Sequence, residues 1–170
     1  EAAVISHGTM ISTRTAPVGG RTAVEDVARF LREDRCVEVG ESTAERVVRF
    51  SSRLRHGVTV ARGMHTDTGL PTAVPLTTER CSDLLRPVVD AVSEITKNAL
   101  DAAPPALAAD VMESGIVITG GAAKLGGLSA AIAESTGISV RTIGCPERAV
   151  IEGARQCIDP PALAISRYRK

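Results

Sequence analysis

The stretch GIVITGGAAKLGGL, residues 115–128, sets a β-prone run ahead of the pair Gly120-Gly121, and a second pair, Gly126-Gly127, ahead of a helix-like segment. Glycines just past a strand let backbone N–H groups approach a phosphate, a sugar or a neighbouring helix closely. The same spacing also makes a plain strand-to-helix turn, and a glycine motif by itself does not separate the two. Lys124 follows the turn, where a lysine either meets phosphate or stands as a solvated charge at a helix start. Ser42 and Glu45 form an S-x-x-E pattern, in which the hydroxyl caps a backbone N–H and the carboxylate reaches back. His7, His56 and His65 are read as loop or packing residues. Cys36, Cys81, Cys145 and Cys157 are scattered with no CxxC spacing, which argues against a zinc site or a disulfide framework and for buried free thiols in a reducing cytosol.

Composition narrows the classes. The chain has 170 residues, enough for one ordinary domain with a core, with 44% hydrophobic and 24% charged residues. Its 20 basic and 20 acidic groups cancel, so no general field steers it to nucleic acid. Phe30, Phe50 and Tyr168 are the only aromatics available for base stacking, and nucleic-acid binding is discounted. No apolar run approaches the roughly 18–20 residues that span a bilayer, and no signal-peptide pattern opens the chain; a cytosolic protein is expected.

The elements that must carry these residues follow from periodicity. Residues 2–6 and 10–15 read as two strands joined at His7-Gly8. Val24, Val27, Ala28 and Leu31 mark one face of a helix over 22–34, and a second helix is expected over 43–53. Val58, Val60 and residues 72–76 suggest a second hairpin around Asp67-Thr68-Gly69. Thr77 or Thr78 then caps a long helix with the apolar line Leu84, Leu85, Val88, Val92, Ile95 and Ala99. Pro87 lies inside it, so the helix is expected to begin late or to kink there. Past Pro104-Pro105 a short helix to Met112 precedes a β-α-β-α alternation: strand 116–119, helix 128–135, strand 140–142 and helix 146–157, the mark of an α/β sheet. A tail begins at Asp159.

Several segments in one order resemble the MreB/Mbl family of bacterial actin-like cell-shape proteins. The resemblance is carried by PPALAADVMESGIVITGGAAKLGGLSAAIAESTGISV and CPERAVIEGARQCI, and extends back through GLPTAVPLTTERCSDLLRPVVDAV, VGESTAERV and AAVISHGTMISTRTAPVGG, covering residues 1–158. It implies an α/β fold, namely the second lobe of a two-lobed actin-like ATPase: a ribonuclease-H-like mixed sheet flanked by helices, over 1–36 and 76–158, with a small inserted α+β subdomain at 37–75 and a tail at 159–170. It also implies ATP with magnesium in the cleft of a complete two-lobed protein. That protein would polymerise into cytoplasmic filaments, able to associate with the membrane surface, that direct cell-wall synthesis and shape together with the wall-synthesis machinery. Gly120, Gly121 and Ala122 would lie along adenosine and phosphates, with Lys124 just beyond; Glu45 and Arg46 would form the opposite wall around ribose and adenine.

The chain departs from the family pattern in ways that bear on the nucleotide. Ala122 replaces the third glycine, where a methyl can narrow the pocket or alter the turn; Val48 replaces a lysine donor; Arg21 replaces an acidic residue. The two phosphate loops of the family are absent, and Glu45 and Glu152 are read as binder and surface charge rather than as hydrolytic bases, so the chain alone is not expected to hydrolyse ATP. A strand that sits between residues 2–6 and 116–119 in the family is absent too. Unpaired backbone groups cost on the order of 1–3 kcal/mol each, so the chain is expected to be part of a longer protein, consistent with its start at Glu1 without methionine, or to be completed by another segment or chain. The alternative function is a degenerate actin-like interaction or scaffold module without nucleotide. Arg53, Arg55 and Arg62 form a basic cluster read as a solvated face or a filament contact.

Overall fold

A computed structural model describes residues 1–51 and 56–158. Strands β1 (Ala2–Ser6) and β2 (Thr9–Arg14) form the expected hairpin. His7 and Gly8 both take positive φ, 50° and 77°. That is the mirror-image turn whose twist suits a two-residue hairpin loop. The register slips between Val4 and Ile5, which leaves Ile11 as an extra residue on β2. The bulge puts Ser12 on the buried face, where its hydroxyl donates to the Ala99 carbonyl at 2.6 Å and ties the hairpin to the long helix.

Helix α1 (Gly20–Arg35) buries Ala23, Val27, Phe30 and Leu31. Cys36 ends it in the left-handed conformation, its N–H donating to the Leu31 carbonyl. A two-residue strand, β3 (Val37–Glu38), pairs antiparallel with β4 (Val58–His65), which pairs in turn with β5 (Pro71–Thr77). Too short to show an alternation, β3 is invisible to periodicity. Gly63 is fixed by that pairing, since a β-carbon there would stand 2.2 Å from the Glu38 carbonyl oxygen. Helix α2 (Glu41–Ser51) lies against this sheet. The S-x-x-E reading is corrected: the Gly40 carbonyl accepts from the Thr43 and Ala44 N–H groups, so the helix starts at Glu41 and Ser42 is already inside it. Glu45 is thereby free to turn to Arg49.

Helix α3 (Thr78–Asp101) is capped by Thr77, whose hydroxyl accepts from the Arg80 N–H at 3.2 Å. It begins at Thr78, not late, and runs on through Pro87. Pro87, Asp83 and Arg86 are exposed, so the Asp83 carbonyl that loses its intrahelical donor faces water. The opposite face buries Cys81, Leu85, Val88, Ile95 and Ala99 as the spine of the core.

A short helix, α4 (Ala108–Ser114), leads into β6 (Ile116–Ile118), α5 (Leu128–Thr136) and β7 (Val140–Thr142). β6 and β7 are parallel, with α5 as the crossover, and α5 buries Leu128 and Ile132 beside α3. Gly137 closes α5 at φ 70°, its N–H donating to the Ala133 carbonyl. Helix α6 (Ala149–Ile158) buries none of its residues, and Val150 and Ile158 are 81% and 86% exposed. Among the described residues the antiparallel β1-β2 pair and the parallel β6-β7 pair share no ladder, and the break falls where the family resemblance leaves a strand missing. The thiols differ from expectation as well: only Cys81 is buried, Cys36 is half-buried, and Cys145 and Cys157 are exposed. Burial pushes the Cys81 thiol up to about 11. Arg53, Arg55 and the tail from Asp159 lie outside the described residues.

Candidate functional site

β6 delivers the chain to Gly120, whose φ of 84° and ψ of 168° belong to a region that side-chain-bearing residues avoid. A single 3-10 turn (Gly121–Lys124) follows, burying Ala123, and Gly127 at φ 81° starts α5. This turn is stitched to a second one over Pro146–Arg148, just ahead of α6. The Pro146 carbonyl accepts from the Gly120 N–H at 2.8 Å and from the Thr119 hydroxyl at 3.2 Å. Lys124 Nζ meets Glu147 Oε2 at 2.8 Å. The lysine holds the Glu147 carboxyl below the usual carboxylate range, mainly through that hydrogen bond.

Facing this wall is α2. Glu45, Val48 and Arg49 lie within one turn of it, and Glu45 Oε2 accepts from Arg49 Nη2 at 2.9 Å. Between the walls, with Gly20 and Val24 of α1 and Leu125 on the remaining side, lies a cavity of about 520 Å³. That volume falls in the range of small-molecule sites, and Val24, Val48 and Leu125 give it an apolar lining among a few convergent polar groups.

Of the residues singled out from sequence, Glu45, Gly121, Ala122 and Lys124 line this one cavity although they come from segments some 75 residues apart, from 45 to 121. Gly120 stands behind it as the hinge of the turn. Arg46 lines a neighbouring cavity of about 570 Å³ with Ser42, Phe50 and Thr59, and the two cavities share Glu45 and Arg49. Sequence reasoning misses Arg49 and Glu147. For Arg49 the four-residue spacing from Glu45 is the signal that could have found it; Glu147 is brought in by tertiary packing alone.

The departures take on definite geometry. Ala122 needs no glycine, because its φ is not positive. A β-carbon on Gly20 would lie 4.0 Å from its methyl, an ordinary contact. Val48 is 6% exposed and closes the α2 wall with an apolar side chain. Arg21 pairs with Glu25 at 3.0 Å on the outside of α1 and does not line the cavity. No group of three or more metal-ligating side chains occurs among the described residues.

A profile of the MreB/Mbl protein family matches residues 1–164. The chain belongs to the MreB/Mbl family. It is 28% identical over 161 residues to the cell shape-determining protein Mbl of Bacillus subtilis, a match covering 92% of this chain and 48% of that protein. To MreB of Escherichia coli K12 it is 29% identical over 163 residues, covering 94% and 47%. MreB5 of Spiroplasma citri bound to AMPPNP shares the fold at a TM-score of 0.85 and 23% identity, over 96% of this chain and 50% of that one. The ADP-bound form superposes at 0.83, with 23% identity, 94% and 52%. The chain thus has the fold of one half of an actin-like MreB structure, and spans about half the length of the MreB and Mbl relatives it matches. No helix among the described residues is long and apolar enough to cross a membrane.

Proposed function

We propose that this chain is the second lobe of an MreB-type cytoskeletal protein, with ATP in the cleft between its glycine turn and α2. The observation that carries the reading is the convergence of Glu45 with Gly121, Ala122 and Lys124 on one cavity in a member of this family. The glycine turn brings backbone close to the ligand, and the Glu45 carboxylate accepts hydrogen bonds from ribose hydroxyls. In this reading the β- and γ-phosphates and magnesium are held by a first lobe, as the family resemblance implies.

In this reading residues 1–36 and 76–158 are the core subdomain and 37–75 the inserted one. The strand that sits between β1 and β6 in the family would come from the remainder of the protein. The complete protein self-associates into cytoplasmic filaments at the membrane surface and works with the wall-synthesis machinery in setting cell shape. That the known relatives include proteins bound to AMPPNP and ADP supports the nucleotide.

A scaffold role without nucleotide is the second reading, and the apolar Val48 wall favours it. Sedimentation of the native protein from its source cells separates the two. The ATP reading predicts more polymer in the pellet with Mg-ATP than without; assembly indifferent to nucleotide leaves only the scaffold.

A further inference from the structure

In an antiparallel sheet with one covered face, hydropathy alternates, apolar inward and polar outward. The sheet β3-β4-β5 departs from that rule. Its inner face sends Ala61 and Leu76 into the core that Ala44 and Val47 of α2 also enter. On the outer face the register sets Val58 opposite Thr77, Val60 opposite Pro75, Arg62 opposite Ala73 and Met64 opposite Pro71, and cross-strand partners share a face. Val58 and Met64 are 59% and 55% exposed, and Pro71, Ala73 and Pro75 are exposed as well. These apolar side chains form one continuous patch of the kind that marks a contact surface.

Two charges interrupt the patch. Arg62 stands midway along β4, and Glu38, opposite Met64, lies at the β3 edge. Among the described residues neither belongs to an ion pair. One cation and one anion on the same face cancel, so no net charge draws it to an anionic lipid surface. Strand addition beside it is blocked as well, because the edge strand β5 carries Pro71 and Pro75, which offer no N–H. What fits is an apolar face with an anion to set against Arg62 and a cation to set against Glu38. The same face on a second copy meets that requirement under a two-fold axis, where each copy's Arg62 meets Glu38 of the other. The chain's formal charge of zero leaves no net repulsion between copies. We propose that the outer face of β3-β4-β5 is an interface between two copies of this chain, packed sheet on sheet with an Arg62–Glu38 ion pair on each side of the axis. A contact of this symmetry closes a dimer and does not propagate a filament. None of its residues lines the cleft, so it is independent of nucleotide.

Sedimentation velocity of the complete protein without nucleotide, over about a hundredfold range of concentration, tests this. Wild type should pass from one copy to two within that range. Met64→Lys sets a charge in the apolar contact and should remove the dimer. Glu38→Arg and Arg62→Glu each set like charges against one another at both ion pairs, and each should weaken the dimer by at least about tenfold. Mixed in equal amounts, those two variants should form a heterodimer, because each supplies the charge that the other lacks. That complementation is a readout that a loss of folding cannot give. A wild type that stays single throughout, whether or not it sediments with phosphatidylglycerol vesicles, overturns the inference. So does a dimer that all three substitutions leave unchanged, or a mixture that stays single. Each of these results leaves the nucleotide reading standing, since the cleft residues are untouched.

Discussion

The methyl of Ala122 faces Gly20 across the base of the cleft, 4.0 Å from where a β-carbon on Gly20 would lie. Alanine at the third position of the glycine turn is therefore a packed residue rather than an obstruction, and it joins the partly buried side chains against the core. Ala122→Gly should lower stability by about 1 kcal/mol, from the lost methyl packing and the added freedom of the unfolded chain. Ligand affinity should change by less than about twofold, or ~0.4 kcal/mol. Urea unfolding and a binding titration of the same variant check both halves; a gain in affinity would show that the methyl does narrow the site.

Gly120 and Gly121 are adjacent but not equivalent. Gly120 holds φ 84° and ψ 168°, whereas Gly121 has no positive φ, and a β-carbon added there would meet nothing within 4 Å. Gly120→Ala should cost about 1–3 kcal/mol, the range for a backbone forced into a sparsely populated region. Gly121→Ala should stay within about 0.5 kcal/mol of the parent. Thermal unfolding of the two variants side by side gives the comparison, and equal losses would contradict the assigned turn geometry.

The Lys124–Glu147 pair carries a pH signature. Its folded-state carboxyl lies below the ordinary value of 4.5, mainly because of the Lys124 hydrogen bond. A depressed carboxyl contributes stability above its unfolded value and loses it as pH falls through the folded one. The gap in unfolding stability between wild type and Lys124→Met should thus be constant from neutral pH to just above 4.5, and close at lower pH. A gap that persists unchanged into strong acid would mean that Lys124 stabilises by packing, not charge.

The four thiols should separate by reactivity. Cys81 is buried with its thiol pushed up to about 11, while Cys145 and Cys157 are exposed. Alkylation at mildly alkaline pH in the native state should label Cys145 and Cys157 first, Cys36 more slowly, and Cys81 only on unfolding. Mass mapping of the labelled peptides reads the order, and early labelling of Cys81 would show the α3 core face to be open.

The parts of the fold legible in the sequence are those where one period dominates. Leu85, Val88, Ile95 and Ala99 mark the buried face of α3, and the β6-α5-β7 unit shows as two apolar runs around a helical one, closed by Gly137. What escapes the sequence depends on neighbours in space. Gly40 takes the cap that the Ser42 pattern offers, because its carbonyl is placed to accept from Thr43 and Ala44. Pro87 stays inside α3 because the carbonyl it deprives lies on the wet face. β3 exists only through its pairing with β4. The cleft divides the same way: Glu45 and the glycine turn carry motifs, whereas Glu147 enters through the stitching of Gly120 to Pro146, which no local pattern announces.

The most direct test of the central claim is an amide NMR titration of the chain with ATP. The account predicts shifts concentrated at Glu45, Arg49, Gly121, Ala122, Lys124 and Glu147, the residues around the cleft. Shifts confined instead to the separate cavity beside Pro104-Pro105, at Leu107, Met112 and Gly137, or no shifts at saturating ATP, would contradict it.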